Sequence, residues 1–96
     1  MVDEPDLKAR VKASLARLQE IAPGRAVEVR IPPYAAVQVV AGHTHRRGTP
    51  SAVVETDAHT WLALADGTMT WTQALASGRL HASGERSDLS GLLPLS

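Results

Sequence analysis

The sequence predicts a small domain that combines one long N-terminal helix, a group of mainly antiparallel strands and a helical tail. Three observations carry this prediction. Apolar residues recur every three or four positions over residues 5–22, which is the period of one helix face. Apolar and polar residues alternate over short segments between residues 26 and 56, as in half-buried strands. Glycine and proline then punctuate short helical segments towards the C-terminus.

The long helix is predicted over residues 5–22. Its apolar side chains fall within a stripe about 120° wide, which is ordinary for a helix packed on a core. Acidic residues precede it, Pro5 suits a first helical position, and Pro23–Gly24 ends it. We therefore expect a helix laid on a sheet, with a membrane-surface or partner-binding helix as the alternative. The stripe consists of Leu7, Val11, Leu15, Leu18, Ile21 and Ala22.

Strands are predicted over residues 26–31, 35–42, 52–56 and 79–83, because apolar residues alternate there or run together between turn signals. Pro32–Pro33 separates the first two strands. Three strand segments follow one another before the next helical pattern begins. This order predicts an antiparallel meander rather than βαβ units.

The tail is predicted to contain three short helices. The first lies between Asp57, as N-cap, and Gly67, as C-terminal stop. The second starts with a Thr-x-x-Gln capping box at Thr70 and ends at Gly78. A third is predicted over residues 88–93, before a proline.

Composition narrows the possible functions. A chain of 96 residues predicts a single domain over residues 1–96, without room for separate catalytic and substrate domains. Cysteine is absent, so the chain has no disulfide, thiol nucleophile or thiolate metal ligand. Ten acidic and ten basic residues balance each other, which argues against nucleic acid as a partner.

We expect a cytoplasmic protein, because the sequence shows neither a secretory signal nor a transmembrane segment. The N-terminus is charged and is followed by an amphipathic segment rather than by the apolar run of a secretory signal. No apolar segment approaches the ~18 residues of a transmembrane helix. We therefore expect no stable membrane insertion.

The segment HTHRRGTP, residues 43–50, is the most chemically suggestive stretch of the chain. His43 and His45 would share a side of an extended backbone. Zinc needs three or four ligands, however, and no spacing indicates the others. We therefore predict a charged connector between strands and no metal or cofactor, with an anion contact at Arg46 and Arg47 as the alternative.

Catalytic motifs are absent from the sequence. There is no Gly-x-Ser-x-Gly elbow, no glycine-rich phosphate loop and no dinucleotide fingerprint. The carboxylates are scattered rather than paired for acid–base chemistry. We therefore expect that the protein is not an enzyme.

Two tryptophans, Trp61 and Trp71, stand on the first two short helices of the tail. They are most simply core residues. The functional alternative makes them walls of an apolar cavity, since small ligands enter concave and largely apolar sites. The predicted cavity residues are Trp61, Leu64, Trp71, Leu75, Leu80, Leu89, Leu92 and Leu93.

Residues 52–95 resemble the C-terminal half of the sterol carrier protein 2-like (SCP2) family. The resemblance is carried by TWLALADG at residues 60–67 and by ALASGRLHASG at residues 74–84, in the order that the family has. The preceding helix and strands fit the N-terminal half of that family by order of elements. The chain is similar to a small bacterial sterol carrier family protein.

This resemblance implies an α+β fold with a mostly antiparallel sheet of about five strands, and with the N-terminal helix and short C-terminal helices packed on one face. It also implies a lipid tunnel between sheet and helices, without catalytic residues. The expected function is therefore a non-enzymatic carrier of a fatty acyl chain, another lipid or a sterol-like ligand. The alternative is an SCP2-like domain without a cavity, acting in protein interaction or as a homodimer.

Overall fold

The computed structural model describes residues 4–42, 52–84 and 86–95. Within these ranges no helix combines the length and the apolar character needed to cross a bilayer. The elements are α1 (Glu4–Ile21), β1 (Val27–Ile31), β2 (Ala35–Val39), β3 (Ala52–Thr56), α2 (Ala58–Asp66), α3 (Trp71–Ala76), β4 (Leu80–Ser83) and a 3₁₀ helix (Ser90–Leu92).

The strands form one mixed sheet in the order β2-β1-β3-β4. β1 is antiparallel to β2 and parallel to β3, whereas β3 is antiparallel to β4. The α+β class is confirmed. The expected sheet is wrong in detail, because the described residues contain four strands rather than five and the central pair is parallel.

The parallel pair follows from the path of the chain. β1 and β2 form a hairpin, so β2 returns the chain to the end of the sheet where β1 begins. β3 starts at that same end on the other side of β1, and it therefore runs in the direction of β1. Apolar alternation determines which face of a strand is buried but not the direction in which the strand runs. The predicted meander was wrong for this reason.

One face of the sheet is buried beneath the helices. Val27, Val29 and Ile31 of β1 are each 0% exposed, whereas the intervening side chains are accessible to solvent. α1 supplies its predicted apolar stripe to this interface, except that Ile21 at its C-terminal end is 41% exposed. The core shared by sheet and helices includes Leu7, Val11, Leu15, Leu18, Val27, Val29, Ile31, Val39, Val54, Trp61, Leu64, Leu80 and Leu89.

The opposite face of the sheet is polar. The Arg30 guanidinium of β1 lies 2.9 Å from the Glu28 carboxylate and 3.9 Å from the carboxylate of Glu55, which is its partner on the adjacent strand β3. These groups are half exposed to solvent, so each ion pair contributes little to stability.

The connection after α1 is tied to the end of β2. The N–H of Val40 donates to the Ala22 carbonyl across 2.7 Å, and the Val40 carbonyl accepts from the Ala26 N–H across 2.9 Å. Val40 has a φ of 68°, a conformation that is uncommon for a β-branched residue. This left-handed residue ends β2 at Val39, whereas the sequence predicted a strand up to residue 42.

The first two helices of the tail start as predicted, whereas the third predicted helix does not form over its full length. Asp57 caps α2, Gly67 ends it in the left-handed conformation, and Thr70 forms a complete capping box at the start of α3. The helix expected over residues 88–93 is wrong in extent, because only the 3₁₀ turn Ser90–Leu92 forms in its place.

Candidate functional site

A surface pocket of about 280 Å³ lies where the end of α2, the start of α3 and the C-terminal segment meet. Its described lining comes from helices and connections rather than from the sheet. The pocket therefore lies at the helical side of the domain. The lining residues are Leu64, Gly67, Met69, Thr70, Trp71, Thr72, Ser90, Leu93 and Pro94.

The end of α2 forms the first wall. Leu64, which is 1% exposed, reaches the pocket from the core side. Gly67 then ends the helix with a φ of 87°, and a Cβ added there would lie 3.4 Å from Pro94. The close approach of Pro94 brings the C-terminal segment against the end of α2.

The start of α3 forms the second wall. The Thr70 hydroxyl accepts from the Gln73 N–H across 3.1 Å, and the Gln73 side chain accepts from the Thr70 N–H across 2.9 Å. This capping box sets the first turn of α3. Trp71 follows directly and is 9% exposed, so most of its indole is packed while its remaining surface lines the pocket.

The C-terminal segment forms the third wall. It is anchored at one end by Leu89, which is 1% exposed. At the other end the N–H of Leu95 donates to the Ala65 carbonyl of α2 across 2.8 Å. These two anchors hold Ser90, Leu93 and Pro94 against the pocket.

Two carboxylates are next to lining residues: Asp66 precedes Gly67 in the sequence, and Asp88 accepts a hydrogen bond from the Ser90 N–H. Hydrogen bonds from the Thr68 hydroxyl and N–H lower the pKa of Asp66, which directly precedes Gly67, and the charge of Arg10 adds to this effect. Hydrogen bonds from the Ser90 hydroxyl and N–H lower the pKa of Asp88. Both side chains are therefore negatively charged at neutral pH.

These walls enclose a concave, mainly apolar site with a few hydroxyl groups. Small-molecule binding sites are also concave and mainly apolar, and they occupy about 300–1,000 Å³, so this pocket lies just below that range. The family model described as bacterial SCP ortholog, where SCP stands for sterol carrier protein, matches residues 3–95.

The chain belongs to this family. The match confirms the resemblance to sterol carrier proteins, and it extends from the tail across α1 and the first strands. No curated protein matches the chain.

The structure distributes the predicted cavity residues over four environments. Leu64, Trp71 and Leu93 line the pocket. Trp61, Leu80 and Leu89 are buried in the core, with exposed fractions of 0%, 3% and 1%. Leu92 is half-buried against that core, and Leu75 is 44% exposed.

The interface between sheet and helices is packed. Trp61, Leu15 and Leu18 occupy it from the helical side, with exposed fractions of at most 1%. The valines and isoleucine of β1 meet them from the sheet.

Several lining residues could not be predicted from the sequence. Met69, Thr70, Thr72 and Pro94 lie in connections or at a helix start, where no periodicity marks a buried face. The short spacing between Gly67 and Thr70 was the available signal, since it forces a sharp turn between α2 and α3 and leaves a concave corner.

The segment HTHRRGTP, including Arg46 and Arg47, lies outside the described residues. Among the residues that the structure does describe, no group of three or more His, Cys, Asp or Glu side chains is placed to hold a metal ion.

Proposed function

We propose that this protein binds and carries a small apolar ligand without converting it, and that the ligand occupies the pocket between α2, α3 and the C-terminal segment. The observation that carries the proposal is the apolar concave corner formed by Leu64, Met69, Trp71 and Leu93 in a member of a sterol carrier protein family. Burial of alkyl surface there would drive binding at about 25 cal/mol per Å².

The size of the pocket favours an alkyl chain over a whole sterol. A water molecule occupies about 30 Å³ of liquid, and a methylene group is similar in size. A volume of about 280 Å³ therefore holds roughly nine such groups. A sterol has far more carbon atoms, so a large part of it would remain outside this open pocket. We accordingly propose a medium-length chain, or one end of a longer lipid, and a cytoplasmic site of action.

The first test is chemical. The protein is purified without detergent, measured by native mass spectrometry, and extracted with organic solvent. A ligand of defined mass bound near one equivalent supports the carrier. A clean protein that also fails to bind the uncharged fluorescent probe N-phenylnaphthylamine would contradict it.

A matched pair of variants locates the binding site. Thr72→Trp places a large side chain at the pocket, because Thr72 is exposed and lines it. Ala76→Trp places the same side chain on an exposed position of α3 outside the lining. We expect Thr72→Trp to abolish probe binding and Ala76→Trp to retain it. Equal binding by both variants would place the ligand elsewhere.

An interaction module is the second candidate. Leu75 is 44% exposed on α3, and large exposed apolar side chains occur at protein interfaces. We propose size-exclusion chromatography with light scattering over a concentration series of the wild type and of Leu75→Ser. A wild-type dimer that Leu75→Ser dissociates would support this function, whereas a monomer at all concentrations would oppose it.

A further inference from the structure

The described lining of the pocket contains no charged side chain. Its polar members are three hydroxyl residues, Thr70, Thr72 and Ser90, and the rest are apolar residues and a glycine. The Thr70 hydroxyl accepts one hydrogen bond, from the Gln73 N–H. Hydroxyl groups can both donate and accept, so they match an uncharged polar head group without needing a counter-charge.

Negative charge lies close to two of the three walls. The Asp88 carboxylate accepts from the N–H of the lining residue Ser90 across 2.9 Å. Asp66 is the neighbour of the lining residue Gly67, and its carboxylate accepts from the Thr68 N–H across 3.0 Å. Both carboxylates are ionised at neutral pH, because hydrogen bonds lower the pKa of each.

Among the residues that the structure describes, no Lys, Arg or His side chain lines the pocket. Arg10 acts on Asp66 but is not among the lining residues. A fatty acid carboxylate entering the pocket would therefore lose hydration without gaining a cation, and it would be repelled by Asp88.

A cationic head group would be attracted by the same carboxylates, because the hydrogen bonds that Asp66 and Asp88 accept from Thr68 and from Ser90 leave their charge in place. An ammonium group is strongly hydrated, however, and losing that water opposes its entry.

We propose that this pocket selects an uncharged amphiphile, an alkyl chain with a hydroxyl or carbonyl head group, over the fatty acid anion of equal length. The inference rests on the proposed carrier function and assigns the class of its ligand. Selectivity comes from hydroxyl-lined walls next to Asp66 and Asp88.

The test uses three probes with the same eight-carbon chain: octanol, octanoate and octylammonium. Each is titrated at neutral pH into ¹⁵N-labelled wild-type protein, and the two indole N–H signals are followed by NMR. Trp71 lines the pocket and reports binding. Trp61 is 0% exposed and serves as the internal reference. At low ionic strength we expect octanol to bind at least about two-fold more tightly than octanoate, since repulsion from a solvent-exposed carboxylate several ångströms away is weak and is screened by salt.

Variants test the electrostatic cause. Asp88→Asn keeps an oxygen that can accept from the Ser90 N–H but removes the charge. At low ionic strength we expect it to tighten octanoate binding about two-fold and to leave octanol binding unchanged. Glu20→Gln removes an equivalent charge from α1, ten residues along the helix from Arg10, and should change neither. An unchanged octanol-to-octanoate ratio in Asp88→Asn would overturn the electrostatic explanation.

The experiment distinguishes a failure of the ligand selectivity from a failure of the carrier function. Binding of octanoate as tight as that of octanol would overturn the selectivity and leave the carrier function standing. Octylammonium binding weaker than that of octanoate would overturn the electrostatic explanation. Failure of all three probes to shift the Trp71 signal would overturn the carrier function at this pocket itself.

Discussion

The indole Nε1–H of Trp61 donates a hydrogen bond to the Ser14 hydroxyl across 2.8 Å, and that hydroxyl donates in turn to the Val11 carbonyl across 2.8 Å. Trp61 is 0% exposed, so Ser14 provides the buried partner that its N–H requires. The pair joins α2 to α1 above the sheet. This hydrogen bond holds the Trp61 indole in the core, whereas Trp71 lines the pocket.

Removal of the Ser14 hydroxyl should destabilise the fold. Ser14→Ala leaves a buried indole N–H without an acceptor, which costs about 1–3 kcal/mol in the free energy of unfolding. In a Trp61→Phe background the same substitution should cost less, with a coupling energy of about 1 kcal/mol. Urea denaturation of the four proteins in this cycle measures the coupling.

Ala16→Ser on the exposed side of α1 is the control for this cycle. It reports the difference in helix propensity between serine and alanine without touching Trp61. An equal cost of Ser14→Ala in both backgrounds would show that the hydrogen bond does not contribute.

The N-cap of α2 should make stability depend on pH in the acid range. The Asp57 carboxylate accepts from the Thr60 hydroxyl across 2.6 Å and from the Thr60 N–H across 3.0 Å. Partial burial raises the pKa of Asp57, but these hydrogen bonds and the charge of Arg79 outweigh it and the pKa is lowered. Because the pKa is lower in the folded state, this stabilisation is complete above the unfolded pKa of about 3.9 and is lost as the pH falls through the folded value.

Two substitutions separate charge from capping at Asp57. Asp57→Ala removes the cap and should cost about 1 kcal/mol at neutral pH. Asp57→Asn keeps an acceptor oxygen and should cost less, while reducing the loss of stability on acidification. Urea midpoints measured from neutral pH down to about pH 2 provide the comparison. An acid limb as steep in Asp57→Asn as in the wild type would refute the assignment.

Local patterns in the sequence were sufficient to predict the boundaries of α2 and the start of α3, although not the extent of the last helical segment. Asp57 and Gly67 enclose α2, and Thr70 with Gln73 begins α3, because capping depends on residues within one turn of each other. The apolar stripe of α1 was predictable for a similar reason, since its period belongs to the helix itself.

The sheet order and the pocket could not be predicted in the same way. The parallel pairing of β1 with β3 depends on which side of β1 the chain passes after β2, and no residue pattern encodes that choice. Leu75 and Leu89 are equally apolar in the sequence. Their different burial depends on how α3 and the C-terminal segment pack, which is a property of the tertiary structure.

Gly24 should be the least replaceable of three glycines. Its φ is 146°, and a Cβ added there would collide with the backbone carbonyl of Val40. Gly24→Ala should therefore cost about 3 kcal/mol or more, from backbone strain and from the clash together. Gly78 has a φ of 78° but open space around it, so Gly78→Ala should cost about 1 kcal/mol from strain alone.

Gly91 supplies the control for this series. A Cβ there meets nothing within 4 Å, so Gly91→Ala should stay within about 0.5 kcal/mol of the wild type. Thermal and urea unfolding of the three variants measures the ranking. A cost for Gly24→Ala no larger than that for Gly78→Ala would show that the contact with Val40 yields easily.

Leu89 and Leu75 should differ sharply when each is replaced by alanine. Leu89 is 1% exposed and Leu75 is 44% exposed. Leu89→Ala removes buried methyl groups and leaves a cavity, which should cost about 2–4 kcal/mol in the free energy of unfolding. Leu75→Ala should stay within about 0.5 kcal/mol of the wild type. Because Leu89 anchors the segment that carries Ser90 and Leu93, its loss should also weaken binding of N-phenylnaphthylamine, whereas Leu75→Ala should retain it. Undiminished probe binding by a folded Leu89→Ala protein would show that this anchor does not hold the third wall of the pocket.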